Sequence, residues 1–211
     1  VLVSIEPDRL SALKQKILAE VPGATVATDL TTNRWIGECD LIVTATSAFG
    51  QRVLDISQCK PGAVILDVAL PPDISEEEAA VRPDVIVVES GEITLPGPTR
   101  FSFDIGLPQG VAYACLAEAA LLTMEERYEC FTLGRDVPPH SVKEIYRLFR
   151  KHGLQIAPLR TFGRLLTDEL VAETNARADE LVRNPGLLER VKREAAAKIA
   201  KIPPRAKGVV G

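Results

Sequence analysis

The 211 residues carry no excess of positive charge: 25 Lys plus Arg stand against 29 Asp plus Glu, a formal charge of −4. No global positive field is available to hold nucleic acid or an anionic membrane surface. Long apolar runs are also lacking. Stretches such as Ala63 to Leu66 fall far short of the ~20 residues of a bilayer span, and no basic-then-apolar leader opens the chain. A cytoplasmic protein without a membrane span is expected. Cys39, Cys59, Cys115 and Cys130 form no CxxC or Cys/His cluster with zinc spacing, and His140 and His152 lie apart. Free thiols and no metal are therefore expected. Finally, no G-x-G occurs anywhere, so the glycine turn that brings a backbone up to a pyrophosphate at a helix N-terminus is missing.

What is present is an ordinary globular composition, 46% hydrophobic and 26% charged. Four β-branched-rich runs, Val1 to Ile5, Leu41 to Ala45, Ala63 to Val68 and Val85 to Val88, show little polar alternation, as strands buried on both faces do. Asp8 to Ala19 places Leu10, Leu13, Ile17 and Leu18 at helical spacing behind Pro7, and Ser75 with Glu78 forms a capping box. Strand and helix in alternation predict an α/β fold with a Rossmann-like parallel sheet, followed by a helical C-terminal region. The domains expected are 1–107, a partial dinucleotide-binding domain, and 108–211, helical. In the second, helices are expected over Gln109 to Glu129, from a capping box Ser141 to Glu144 up to His152-Gly153, over Arg164 to Arg183, and from Asn184-Pro185 to Ile202.

In a Rossmann unit an acidic residue at the end of the second strand holds the ribose hydroxyls, and Glu6 stands there if Val1 to Ile5 is that strand. The sheet would then lack its first βα unit, which fits a chain that opens on Val and contains no glycine fingerprint. An exposed carboxylate before a helix explains Glu6 nearly as well. Thr44, Ala45, Thr46 and Ser47 end the next strand, where such a sheet meets the nicotinamide half of a cofactor; ordinary turn formation is the level alternative.

The run Phe103 to Leu122, centred on Ala114-Cys115-Leu116-Ala117-Glu118-Ala119, with Gly134-Arg135 and His152-Gly153 downstream, resembles the carboxyl-terminal part of long-chain acyl-(acyl-carrier-protein) reductases. Asp67 and Gly91 are similar in layout. The resemblance implies an oxidoreductase that reduces an acyl thioester to a fatty aldehyde in lipid metabolism, with NADPH or NADH as hydride donor and an acyl carrier protein as partner. It implies further that Cys115 is the acyl-accepting nucleophile and Glu118, on the same helix face, a proton relay or substrate-positioning group. A thiolate attacks thioesters well and leaves well, which suits such a cycle. Cys115 is expected about two turns into its helix, where the dipole helps ionisation only weakly. Glu118 raises rather than lowers the pKa of a neighbouring thiol.

Two alternatives stay open. One is a shikimate- or amino-acid-type NAD(P)-dependent dehydrogenase with direct hydride transfer, in which Cys115 is a packing residue; the other is a non-catalytic fragment. A homo-oligomer is expected only by analogy with related folds. The basic residues Lys192, Arg193, Lys198, Lys201, Arg205 and Lys207 admit an acidic carrier protein or a solvated helix face.

Overall fold

A computed structural model describes residues 1–46, 51–89, 91–134 and 137–203. In chain order its first elements are β1 (Leu2–Val3), α1 (Pro7–Glu20), β2 (Thr28–Asp29), β3 (Leu41–Thr44), a 3-10 turn (Ile56–Gln58), β4 (Val64–Asp67), α2 (Glu76–Ala79) and β5 (Ile86–Glu89). There follow β6 (Glu92–Thr94), β7 (Val111–Tyr113), α3 (Ala114–Met124), α4 (Pro139–Lys151) and β8 (Gln155–Ile156). The chain closes with β9 (Arg160–Thr161), β10 (Arg164–Leu165), α5 (Asp168–Arg183) and α6 (Pro185–Ile199).

The fold is mixed α/β. A five-stranded sheet runs in the order β10-β9-β5-β4-β3; its core β3-β4-β5 is parallel and β9 and β10 add antiparallel edges. The sheet is thus mixed rather than purely parallel. Strand β1 also departs from expectation. It pairs in parallel with β2 in a separate two-stranded sheet, so Val1 to Ile5 does not act as a strand of the main sheet.

Contacts divide the chain into two compact units, Val1–Glu89 with Arg160–Gly211, and Ser90–Leu159. The boundary expected at 107/108 falls inside the second. In the first unit Ile65 and Val87 point from β4 and β5 into a core with Ile36, Ile56, Ile74 and Ile199. Leu41 and Val43, alternating with them on the edge strand β3, are 60% and 57% exposed, so β3 is not covered on both faces. Arg82 and Asp84 are fully buried in this unit. The guanidinium donates to both carboxylate oxygens at 2.8 and 2.6 Å, and to the carbonyls of Ser57 at 2.6 Å and Cys59 at 2.9 Å.

In the second unit β7, β6 and β8 form an antiparallel sheet, and Ala112, Ala117, Leu121, Leu148 and Leu154 make its core. The helix expected over Gln109 to Glu129 is shorter. Residues 111–113 pair with β6, the Ala114 amide donates to the Gly91 carbonyl at 2.7 Å, and α3 starts only there. Non-local strand pairing has overridden helical propensity. The Ser141 box is likewise displaced: Pro139 occupies the first turn of α4 behind Pro138 as N-cap, and Ser141 is buried inside the helix. The helix expected from Arg164 starts at Asp168, because 164–165 pair with β9 and the Thr167 hydroxyl caps the Leu170 amide at 3.3 Å. Two signals hold as read. Ser75 and Glu78 make both bonds of the capping box at 3.2 and 3.1 Å, and α4 ends at His152 with Gly153 at φ 72°.

Candidate functional site

Parallel pairing sets Thr44, Asp67 and Glu89 in one row at the carboxyl ends of β3, β4 and β5, where ligands of such sheets bind. Asp67 is buried and fastens the loop beyond it: Oδ1 accepts from the Ala69 amide at 3.1 Å and Oδ2 from the Ile74 amide at 3.0 Å. Burial raises its pKa, partly offset by those two amides and by the nearby Thr44 hydroxyl. The Thr44 hydroxyl itself is buried and meets no group at full hydrogen-bonding geometry among the described residues. Thr46 is tied to the same loop. Its hydroxyl donates to Asp73 Oδ1 at 2.6 Å and its amide to Asp73 Oδ2 at 3.1 Å. Every carboxylate oxygen of Asp67 and Asp73 therefore accepts a bond from the protein, and the cluster works as a latch between two strand-end loops. Ala45 is exposed beside it, and Ser47 lies outside the described residues.

Glu6 caps α1 by position only, its side chain making no cap bond; the nearest Arg9 nitrogen is 3.9 Å away. Because β1 belongs to another sheet, no register aligns Glu6 with Thr44.

In the second unit Cys115 is the second residue of α3, not two turns in, and its side chain is exposed. Glu118 lies one turn on and accepts a hydrogen bond from the Thr132 hydroxyl. His152, expected as a capping residue, also reaches Glu125: its Nε2 is 2.5 Å from Oε1, and Lys151 Nζ donates to both Glu125 oxygens at 2.6 and 2.8 Å. These contacts hold the Glu125 carboxyl below the usual range, Lys151 contributing most. Sequence reading missed this network and the Thr46–Asp73 latch alike, since partners 27 positions apart leave no local spacing to find. Arg135 of the glycine-arginine pair, with Arg205 and Lys207, lies outside the described residues. Among the described residues no group of His, Cys, Asp and Glu is arranged to hold a metal, and no helix is long and apolar enough to cross a membrane.

No family model matches the chain. The chain is 35% identical over 136 residues to Aminotransferase PigE of Serratia sp. (strain ATCC 39006); the match covers 63% of this chain and 16% of that protein. The chain thus spans a minor part of the length of the relative it matches. This similarity overturns the acyl-thioester reductase reading, with its fatty aldehyde product, acyl carrier and place in lipid metabolism, and the dehydrogenase alternative with it. The match takes in 63% of the chain, and the protein matched is named an aminotransferase, not a reductase. NADPH and NADH fall as cofactors for the same reason.

Proposed function

We propose that this chain serves amino-group transfer as an α/β segment of a longer aminotransferase-type protein. The observation that carries the reading is the 35% identity over 136 residues to Aminotransferase PigE. In this reading the five-stranded sheet is a Rossmann-like sheet without its first βα unit, used as a structural and ligand-handling platform.

Amino-group transfer relies on pyridoxal phosphate carried on a lysine amine, which protein surroundings must desolvate and orient. The lysines here do not fit that task. Lys60 is bonded to Asp40 and Lys151 to Glu125, Lys14 and Lys192 are half-buried, and Lys16, Lys143, Lys198 and Lys201 are exposed; none of the described lysines is buried. The cofactor therefore belongs to another part of the longer protein. Cys115 and Glu118 are then residues of the platform, and Thr44, Ala45 and Thr46 shape its strand-end rim.

Two measurements test this. Grafting the matched stretch of this chain into PigE in place of its counterpart is expected to give a folded chimera that still transfers amino groups. A folded chimera that holds pyridoxal phosphate but transfers none refutes the reading. Borohydride reduction of this chain mixed with pyridoxal phosphate, followed by peptide mapping, is expected to label surface lysines weakly and without preference. Stoichiometric labelling of one lysine, lost on unfolding, would show that the chain carries the cofactor after all.

A further inference from the structure

A groove in the first unit lies away from the strand-end latch and has no role in the reading above. It is formed between α2, the start of β5, the β9–β10 turn and α5, and encloses about 180 Å³. Val85, Val87, Phe162 and Leu170 give it an apolar lining. One wall is built at a conformational cost. The β9–β10 hairpin has a two-residue turn, Phe162-Gly163, with both residues at positive φ, 48° and 74°, as in a type I′ turn. Glycine adopts that region freely, whereas a phenylalanine there is uncommon. The turn is held by the Gly163 amide donating to Glu89 Oε2 and by Arg160 Nη1 donating to the Gly163 carbonyl, each at 2.8 Å.

The charges at the rim differ in kind. Arg164 is 2.8 Å from Glu76 and is satisfied by it. Glu173 and Arg177, one turn apart on α5 and both exposed, also line the groove, yet neither side chain makes a hydrogen bond or ion pair among the described residues. Residues at i and i+4 share a helix face with Cβ atoms about 5–6 Å apart. An unpaired anion and an unpaired cation thus stand side by side over an apolar cavity.

We infer that this groove binds a free apolar α-amino acid, its carboxylate on Arg177, its ammonium on Glu173 and its side chain against Phe162, Val85 and Val87. The size agrees: an apolar cavity of roughly 150 Å³ accepts a benzene ring, so about 180 Å³ takes a leucine or phenylalanine side chain. The charges agree as well, since guanidinium and carboxylate pair in a planar fork and a carboxylate accepts readily from an ammonium. Recognition here is non-covalent and stands independently of the amino-transfer proposal.

Isothermal titration of the chain with L-leucine and L-phenylalanine tests it, with 4-methylpentanoate and 3-methylbutylamine as probes that keep only one charge. At ligand concentrations up to about 10 mM, which expose a millimolar Kd, the amino acids are expected to bind at least tenfold more tightly than either single-charge probe. Arg177→Ala is expected to weaken leucine about tenfold or more. Glu173→Gln is expected to do the same while leaving 4-methylpentanoate unweakened. Leu170→Trp, which fills the groove from a partly exposed position, is expected to abolish binding with the thermal midpoint retained. No heat from either amino acid, or equal affinity for leucine and 4-methylpentanoate with no effect of Glu173→Gln, overturns the inference.

Discussion

Removing the negative partner of the buried Arg82 should be among the most damaging single changes in the first unit. Arg82 is fully buried and Asp84 nearly so, and the carboxylate takes two of the guanidinium's hydrogen bonds, at 2.8 and 2.6 Å. Asp84→Asn keeps the shape and deletes the charge, leaving a guanidinium in the interior without a counter-ion. Breaking a buried pair from one side costs about 3–5 kcal/mol, a large share of the ~5–15 kcal/mol that holds a domain folded. With a urea slope of about 1–3 kcal/mol per molar, the midpoint should fall by at least about 1 M. The double variant Arg82→Met, Asp84→Ala makes the prediction specific to this site. Replacing an isolated buried pair by apolar groups is often neutral. Here the guanidinium also donates to the Ser57 and Cys59 carbonyls at 2.6 and 2.9 Å. Those carbonyls lose their donor in the double variant, at about 1–3 kcal/mol each, so it should stay well below the parent. Urea unfolding followed by circular dichroism measures all three proteins. A loss under about 1 kcal/mol for Asp84→Asn, or full recovery in the double variant, would refute the argument that Arg82 is a fastener for the 3-10 turn as well as an ion-pair partner.

The cysteines should separate by burial. Cys59 is wholly buried and its thiol is pushed up to about 12 by loss of water, whereas Cys115 and Cys130 are exposed. At about pH 8 a thiol reagent should therefore modify Cys115 and Cys130 in the native protein and reach Cys59 only after unfolding; fast native labelling of Cys59, seen by peptide mapping, would contradict the packing. Glu125 supplies a pH dependence of known sign. Its folded pKa is depressed by Lys151 and His152, so its stabilisation is complete above the ordinary glutamate value and is lost as pH falls through the depressed one. Thermal midpoints of the parent and Glu125→Gln, compared between about pH 6 and pH 3, should converge on acidification; a constant gap would refute the coupling.

Local chemistry was legible where the physics is local. The Ser75–Glu78 box, the glycine stop after His152 and the proline-led starts of α1 and α6 are each decided within four residues, and each is found. Asn184 marks the limit of that success: it precedes Pro185 as read, yet its side-chain amide donates to the Glu180 carbonyl rather than capping α6. The parallel core was legible from apolar runs, but the exposed Leu41 and Val43 look like buried residues in sequence, because composition does not say which strand lies at an edge. The latch, the Glu125 network and the groove over Phe162 all depend on partners brought together across long loops, and no spacing rule anticipates them.

The cysteine-centred run divides into residues that packing explains and residues that it does not. Its helix starts at Ala114 because β7 must first pair with β6, which places Cys115 in the first turn whatever its chemistry. Its small and apolar residues have a packing reason: Ala117 and Leu121 are buried with Ala112 and Leu148 in the core of the second unit. A helix that lies close on a small sheet needs alanine where a larger side chain would clash. Exposure leaves Cys115 free to vary without loss of that core, and Glu118 already has a partner in Thr132. Packing thus accounts for Ala117 and Leu121, whereas Cys115 and Glu118 are not part of that core and their residue types are not explained by it.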